Sequence, residues 1–182
     1  MITRRLLFAP LVLGLMFFAQ FVTAQQRDHL TPQEVDLVKE AQILDKRIDV
    51  FIKAAERRLM VINNSATANA KQLKKDSERW GELPTGSRAE LVSDIARIID
   101  AAIDNIDDVS MHDERNPLIG KSLRKLSTSV NSIMTQLKPL SAQAKGEAEI
   151  ASFEQLNEGV QSITEATAKL PPEVEKKAKN KN

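Results

Sequence analysis

Between Leu30 and Ile62, apolar side chains recur at Val38, Ala41, Leu44, Ile48, Phe51 with Ile52, Ala55, Leu59 and Ile62. That spacing keeps one face of a helix in a core. The opposite face carries Asp36, Lys39, Glu40, Lys46, Asp49, Lys53, Glu56 and Arg57. The start is strongly marked: Thr31 can cap, Pro32 suits the first helical position, Glu34 can close a capping box, and Leu30 with Val35 fits a hydrophobic staple. The pattern predicts one amphipathic helix over 30–62, roughly 46 Å long at ~1.5 Å per residue. A stripe of that length needs other helices to cover it.

The rest of the chain supplies them. After the turn and cap formers from Asn63 to Asn69, a short polar helix is predicted over 70–80, ended by Gly81, with Trp80 beside Leu83 and Pro84 plugging one end of the assembly. Ser87 and Glu90 form a second capping box, opening a helix over 88–110. Its stripe is Leu91, Ile95, Ile98, Ala102, Ile106 and Val109, widened by Val92, Ile99 and Ile103, which predicts contact with two neighbours. Asn116 and Pro117 restart the helical pattern. Ile119, Leu123, Leu126, Val130, Ile133, Leu137 and Leu140 then follow at steps of four and three, a coiled-coil-like seam that Pro139 is expected to close. A last helix from about 142 to 169 carries the stripe Phe153, Leu156, Val160, Ile163 and Leu170, with Gly146 and Gly159 as weak points. The fold class expected is all-α: a four-helix bundle running up-down-up-down, with the short extra helix in the first long connection. The two later short links predict antiparallel sequence neighbours. A solenoid is the runner-up, although no internal repeat is evident.

Composition agrees with helices. The 182 residues contain no Tyr or Cys, one Trp and six Gly, which argues against a sandwich or barrel. Without cysteine there can be no disulfide, thiol catalysis or cysteine-linked lipid anchor. Residues 1–24 combine Arg4 and Arg5, an apolar run from Leu6 to Val22 and the small-residue ending Val22-Thr23-Ala24, which predicts a signal peptide cleaved before Gln25. An uncleaved anchor is the alternative, since the run nearly suffices to span a bilayer. Thr3-Arg4-Arg5 also suggests a twin-arginine signal, but the strongly apolar run and the lack of a cofactor motif favour the general secretory route. The expected organisation is therefore a leader over 1–24, a helical domain over 25–170 with no transmembrane helix, and a disordered lysine-rich tail over 171–182. The protein is expected to be periplasmic or secreted.

The run Trp80-Gly81-Glu82-Leu83-Pro84-Thr85-Gly86, with Ala102-Ile103-Asp104-Asn105-Ile106-Asp107-Asp108-Val109 and Asn116-Pro117-Leu118, resembles a group of uncharacterised exported bacterial helical proteins. The likeness covers most of the mature chain. It implies a helical secreted domain and carries no assigned activity.

Charge removes one class of function. The net charge of +1 becomes about −1 once Arg4 and Arg5 leave with the leader, giving no concentrated basic face for nucleic acid. Candidate chemistry centres on Asp100, Asp104, Asp107 and Asp108, with His112, Asp113 and Glu114 beyond. Asp100, Asp104 and Asp108 share a helical face and repel one another near a helix C-terminus. Neighbouring cations such as Arg97, Arg115, Lys121, Arg124 or Lys125 can compensate them. The sharper reading is a divalent metal held by Asp104, Asp108 and His112, although EF-hand spacing and a Glu-x-x-His pair are both missing. Gly120-Lys121-Ser122 imitates the end of a P-loop, but Arg115 stands where that loop needs glycine. No nucleophile, base and orienting group converge in sequence, so no enzyme and no cofactor are expected. The first expectation is a non-enzymatic bundle that binds a protein or cell-envelope component. The alternative is a small-ligand or metal-binding bundle using the acidic ridge.

Overall fold

The computed structural model describes residues 28–65 and 70–172; the expected leader over 1–24, its expected cleavage site and most of the expected tail over 171–182 lie outside them. Six helices follow one another, α1 (Pro32–Glu40), α2 (Leu44–Ile62), α3 (Ala70–Trp80), α4 (Arg88–His112), α5 (Pro117–Ser141) and α6 (Glu147–Ala168), with no strand among the described residues. The chain is all-α. No described helix is long and apolar enough to cross a membrane.

The expected single helix over 30–62 is two. Helical geometry breaks at Ala41 (φ −77°, ψ 82°) and resumes after an extended Ile43 that donates no side-chain cap. In a straight helix Glu34 and Arg58 would stand roughly 36 Å apart. Here their side chains meet at 2.8 Å, so α1 folds back along α2. The Arg47 guanidinium holds the corner: its Nε donates to the Ala41 carbonyl (3.0 Å) and its Nη1 to Asn105 Oδ1 (2.9 Å). A cation at the end of α1 also suits the helix dipole.

The four long helices pack as α2 on α4, α4 on α6, α6 on α5 and α5 on α2, while α4 and α5 meet sparingly. Their apolar stripes converge on one core in which Ile48, Val92, Ile95, Ile98, Leu137 and Leu156 are fully enclosed. Each such side chain contributes on the order of 1.5–3 kcal/mol. The wide stripe of α4 is explained by its two principal neighbours, α2 and α6.

Cross-helix pairs fix direction. Arg47 meets Asn105 near one end of α2 and Arg58 approaches Asp94 near the other, so α2 and α4 are antiparallel. Lys121 meets Asp45 at 2.6 Å and Asn63 meets Gln136 at 3.3 Å, making α2 and α5 parallel. Arg88 pairs with Glu149 and Gln155 with Asp100, making α4 and α6 parallel as well. Consecutive long helices thus alternate in direction, but the short link after His112 carries the chain across to a helix that α4 barely touches.

Three local expectations are corrected. Pro139 does not close α5; it lies inside the last turn, and the helix continues to Ser141. The last helix starts at Glu147 rather than near Ala142, because Gly146 takes φ +90°, a conformation that breaks a helix and suits glycine. The Glu149 carboxylate then accepts from the Lys145 amide at 2.9 Å. Gly159 is a close-packing position rather than a weak point: a β-carbon there would stand 3.4 Å from both Ile99 and Asp100 on α4.

Candidate functional site

The strongest concentration of buried charge lies where α1 meets α2. Glu34 is 0% exposed, Arg57 and Arg58 1% each, and Asp94 3%. Their placement follows from local rules. Thr31 and Glu34 close the expected capping box, with Thr31 N donating to Glu34 Oε2 at 2.9 Å and Glu34 N to Thr31 Oγ1 at 3.3 Å. That box aims the Glu34 carboxylate at α2. Arg58 Nη1 donates to Glu34 Oε1 (2.8 Å) and to the Ala54 carbonyl (2.9 Å); its Nη2 donates to the His29 carbonyl (2.7 Å) and lies 2.8 Å from Glu34 Oε2. Arg58 Nε stands 3.8 Å from Asp94 Oδ2 on α4.

Arg57, expected on the solvated face, points inward as well. Its Nε is 3.3 Å from Glu34 Oε1, and its Nη2 donates towards the carbonyls of Trp80, Gly81 and Glu82. Aiming three successive carbonyls at one nitrogen requires the chain to curl, and Gly81 at φ +66° supplies the left-handed residue. The guanidinium also lies 5.7 Å from the centre of the half-buried Trp80 ring. Burial pushes the Arg57 pKa down from its ordinary value, with Glu34 opposing that effect. Sequence reasoning missed Arg57, Arg58 and Asp94. A signal was present, since Arg58 falls in register with the apolar positions Ala54 and Ala55.

This cluster braces two irregular segments, 28–31 and 81–87, that flank an open cleft of about 620 Å³. Arg58 forms part of its floor. A second cleft, of about 290 Å³, lies between α4 and α6 and includes Asp94 in its lining. The Arg58–Asp94 pair therefore separates the two clefts.

His29 sits on the same braced segment with 23% of its side chain exposed, and its buried Nδ1 makes no hydrogen bond. Burial and then Arg97 lower its pKa from 6.5, with Arg58 acting in the same direction and Asp28 and Glu34 opposing. A lowered folded value means that the unfolded chain takes up the proton first. The associated stability is present above pH 6.5 and is lost as pH falls below it. The melting temperature is therefore expected to fall between pH 7.5 and 5.5, and His29→Gln to flatten that part of the profile in thermal scans. At lower pH the loss continues through Asp45, held below its ordinary 3.8 mainly by the Lys121 hydrogen bond, and Glu149, held below 4.5 mainly by Arg88. Asp100, raised mainly by burial, acts in the opposite direction.

The residues expected to hold a metal lie elsewhere. Asp104, Asp108 and His112 all fall on exposed positions of α4. His112 is 77% exposed, with Nδ1 2.7 Å from the Asp108 carbonyl oxygen and 3.6 Å from Asp108 Oδ1. Among the described residues, no three His, Asp or Glu side chains are grouped to hold a metal ion. Asp100 turns towards α6 and accepts from Gln155 Nε2 at 3.0 Å. Trp80 is neither free nor an isolated plug; it packs beside Arg57 and against the edge of the core. No family model, curated protein or solved structure matches the chain.

Proposed function

We propose that this is an exported, non-enzymatic four-helix bundle, with α1 and α3 as an added flank, that binds a protein or cell-envelope component at the cleft between residues 28–31 and 81–87. Export follows from the leader, with cleavage at Ala24 and residence in the periplasm or outside the cell. One observation carries the binding reading. Two guanidinium groups are buried beside Glu34 and Asp94, and their Nη donors reach the carbonyls of His29, Gly81 and Glu82, in the irregular segments around the cleft, and of Trp80 at the end of α3. Desolvating an ion costs several kcal/mol, and apolar residues of similar volume often stabilise a core equally well or better. What apolar residues cannot do is hold surface main chain at fixed positions. A rigid, open cleft between two extended segments is suited to recognition.

The test uses Thr85→Trp, which fills the cleft from an exposed position. The full-length chain, used as bait in envelope extracts, is expected to recover a reproducible partner that the variant fails to recover at unchanged melting temperature. Identical recovery by both chains, or recovery of no partner by either, would overturn the proposal.

A further inference from the structure

We infer that the occupant of the cleft between residues 28–31 and 81–87 is an extended peptide segment bearing lysine or arginine, an assignment that rests on the partner-binding reading above. Three features of the cleft point to that chemistry.

The first is the sign of the accessible charge. Arg58 lines the floor, but its two Nη atoms are already engaged by Glu34, Ala54 and His29, and its Nε faces Asp94. It has no Nη donor to offer an anion. The charges left on the cleft walls are two exposed carboxylates, Asp28 and Glu82, one on each irregular segment. Asp28 Oδ1 accepts weakly from the Leu30 amide at 3.3 Å and stands 3.6 Å from His29 Nδ1, while the side chain as a whole is 71% exposed. An occupant is therefore favoured by positive charge at both edges.

The second is the main chain. Residues 83–87 run irregularly between Gly81 and α4, and Leu83, Thr85 and Gly86 make no backbone–backbone hydrogen bond among the described residues. Exposed main chain of this kind can pair with another extended strand, the mode in which backbone bonds give affinity and side-chain pockets give selectivity. The third is the apolar surface between the carboxylates, where Leu30 and Leu83 face the cleft from opposite walls. A strand alternating basic and apolar side chains places its cations and its apolar groups on opposite faces, so the edge carboxylates and the two wall leucines can be satisfied together.

The chain reports occupancy itself. Its single tryptophan, Trp80, lies two residues from Glu82, and the Arg57 guanidinium joins the two. The experiment titrates the full-length chain with an eight-residue peptide alternating Lys and Leu, labelled at one end, and follows peptide anisotropy together with Trp80 emission. Saturable binding is expected, weaker by roughly tenfold or more for the same peptide with Glu in place of Lys, and for the Asp28→Asn, Glu82→Gln double variant with the Lys peptide. N-methylation of alternate peptide amides is expected to weaken binding similarly. The Asp104→Asn, Asp108→Asn pair serves as a charge-matched control and should leave binding unchanged.

Equal binding of the Lys and Glu peptides, or binding insensitive to the double variant, overturns the inference. These failures are separable from failure of the partner-binding reading. An envelope partner lost by Thr85→Trp but indifferent to Asp28 and Glu82 would keep the cleft as the docking site and remove the basic peptide.

Discussion

Glu34→Ala is expected to lower the free energy of unfolding by about 3–5 kcal/mol, read from urea denaturation at neutral pH. The substitution leaves Arg57 and Arg58 enclosed without the carboxylate that both approach. Asp94 cannot replace it, since it stands 3.8 Å from Arg58 Nε on another helix. The Thr31 amide also loses its acceptor, adding the cost of a lost cap. Against a typical domain stability of roughly 5–15 kcal/mol, the loss is large. Glu34→Gln retains the shape and an acceptor for Thr31 and should fall between the variant and the parent. Asp36→Ala, exposed two residues away on the same helix, should change stability by less than about 0.5 kcal/mol. If Glu34→Ala behaved like Asp36→Ala, the buried cluster would not be what fastens α1 to α2. Limited proteolysis gives an independent readout: cleavage at residues 41–43 should accelerate in Glu34→Ala.

The second large effect is expected at Leu156, enclosed where α6 packs on α4 and α5. Leu156→Ala should cost about 2–5 kcal/mol, combining lost transfer energy with a cavity that close-packed neighbours fill incompletely. Gly159, one turn further on, already brings α6 within contact of Ile99, which limits relaxation of the two helices towards each other. Ile150 on the same helix is 45% exposed, and Ile150→Ala should cost under about 1 kcal/mol. Chemical denaturation of the two variants side by side tests whether the predicted stripe, rather than hydrophobicity in general, forms the core.

The comparison of those positions shows what was legible beforehand. Periodicity placed Phe153, Leu156 and Ile163 inside and identified the wide stripe of α4, because burial of apolar area is the dominant local signal. Both capping boxes were readable for the same reason: Thr31–Glu34 and Ser87–Glu90 are contacts over three residues. The break after Glu40 was not readable. Val38, Ala41 and Leu44 keep helical spacing through it, and the reversal is decided by a carboxylate meeting guanidinium groups more than twenty positions away. For the same reason Arg57 looked like a solvated-face residue, and the cleft that it braces was invisible. The charges of the acidic ridge are close in sequence, yet Asp104, Asp107 and Asp108 lie on exposed positions, Asp100 is half-buried against α6, and the fully buried charges lie elsewhere.

The parallel pairing of α2 with α5 and of α4 with α6 has a kinetic consequence. Helical proteins usually fold quickly because most of their contacts join nearby residues. Here the pair Arg88–Glu149 closes a separation of 61 residues and Lys121–Asp45 one of 76. Two of the main seams must wait for distant segments to find each other, so refolding in stopped-flow measurements should be slower than in a helical hairpin array of equal length.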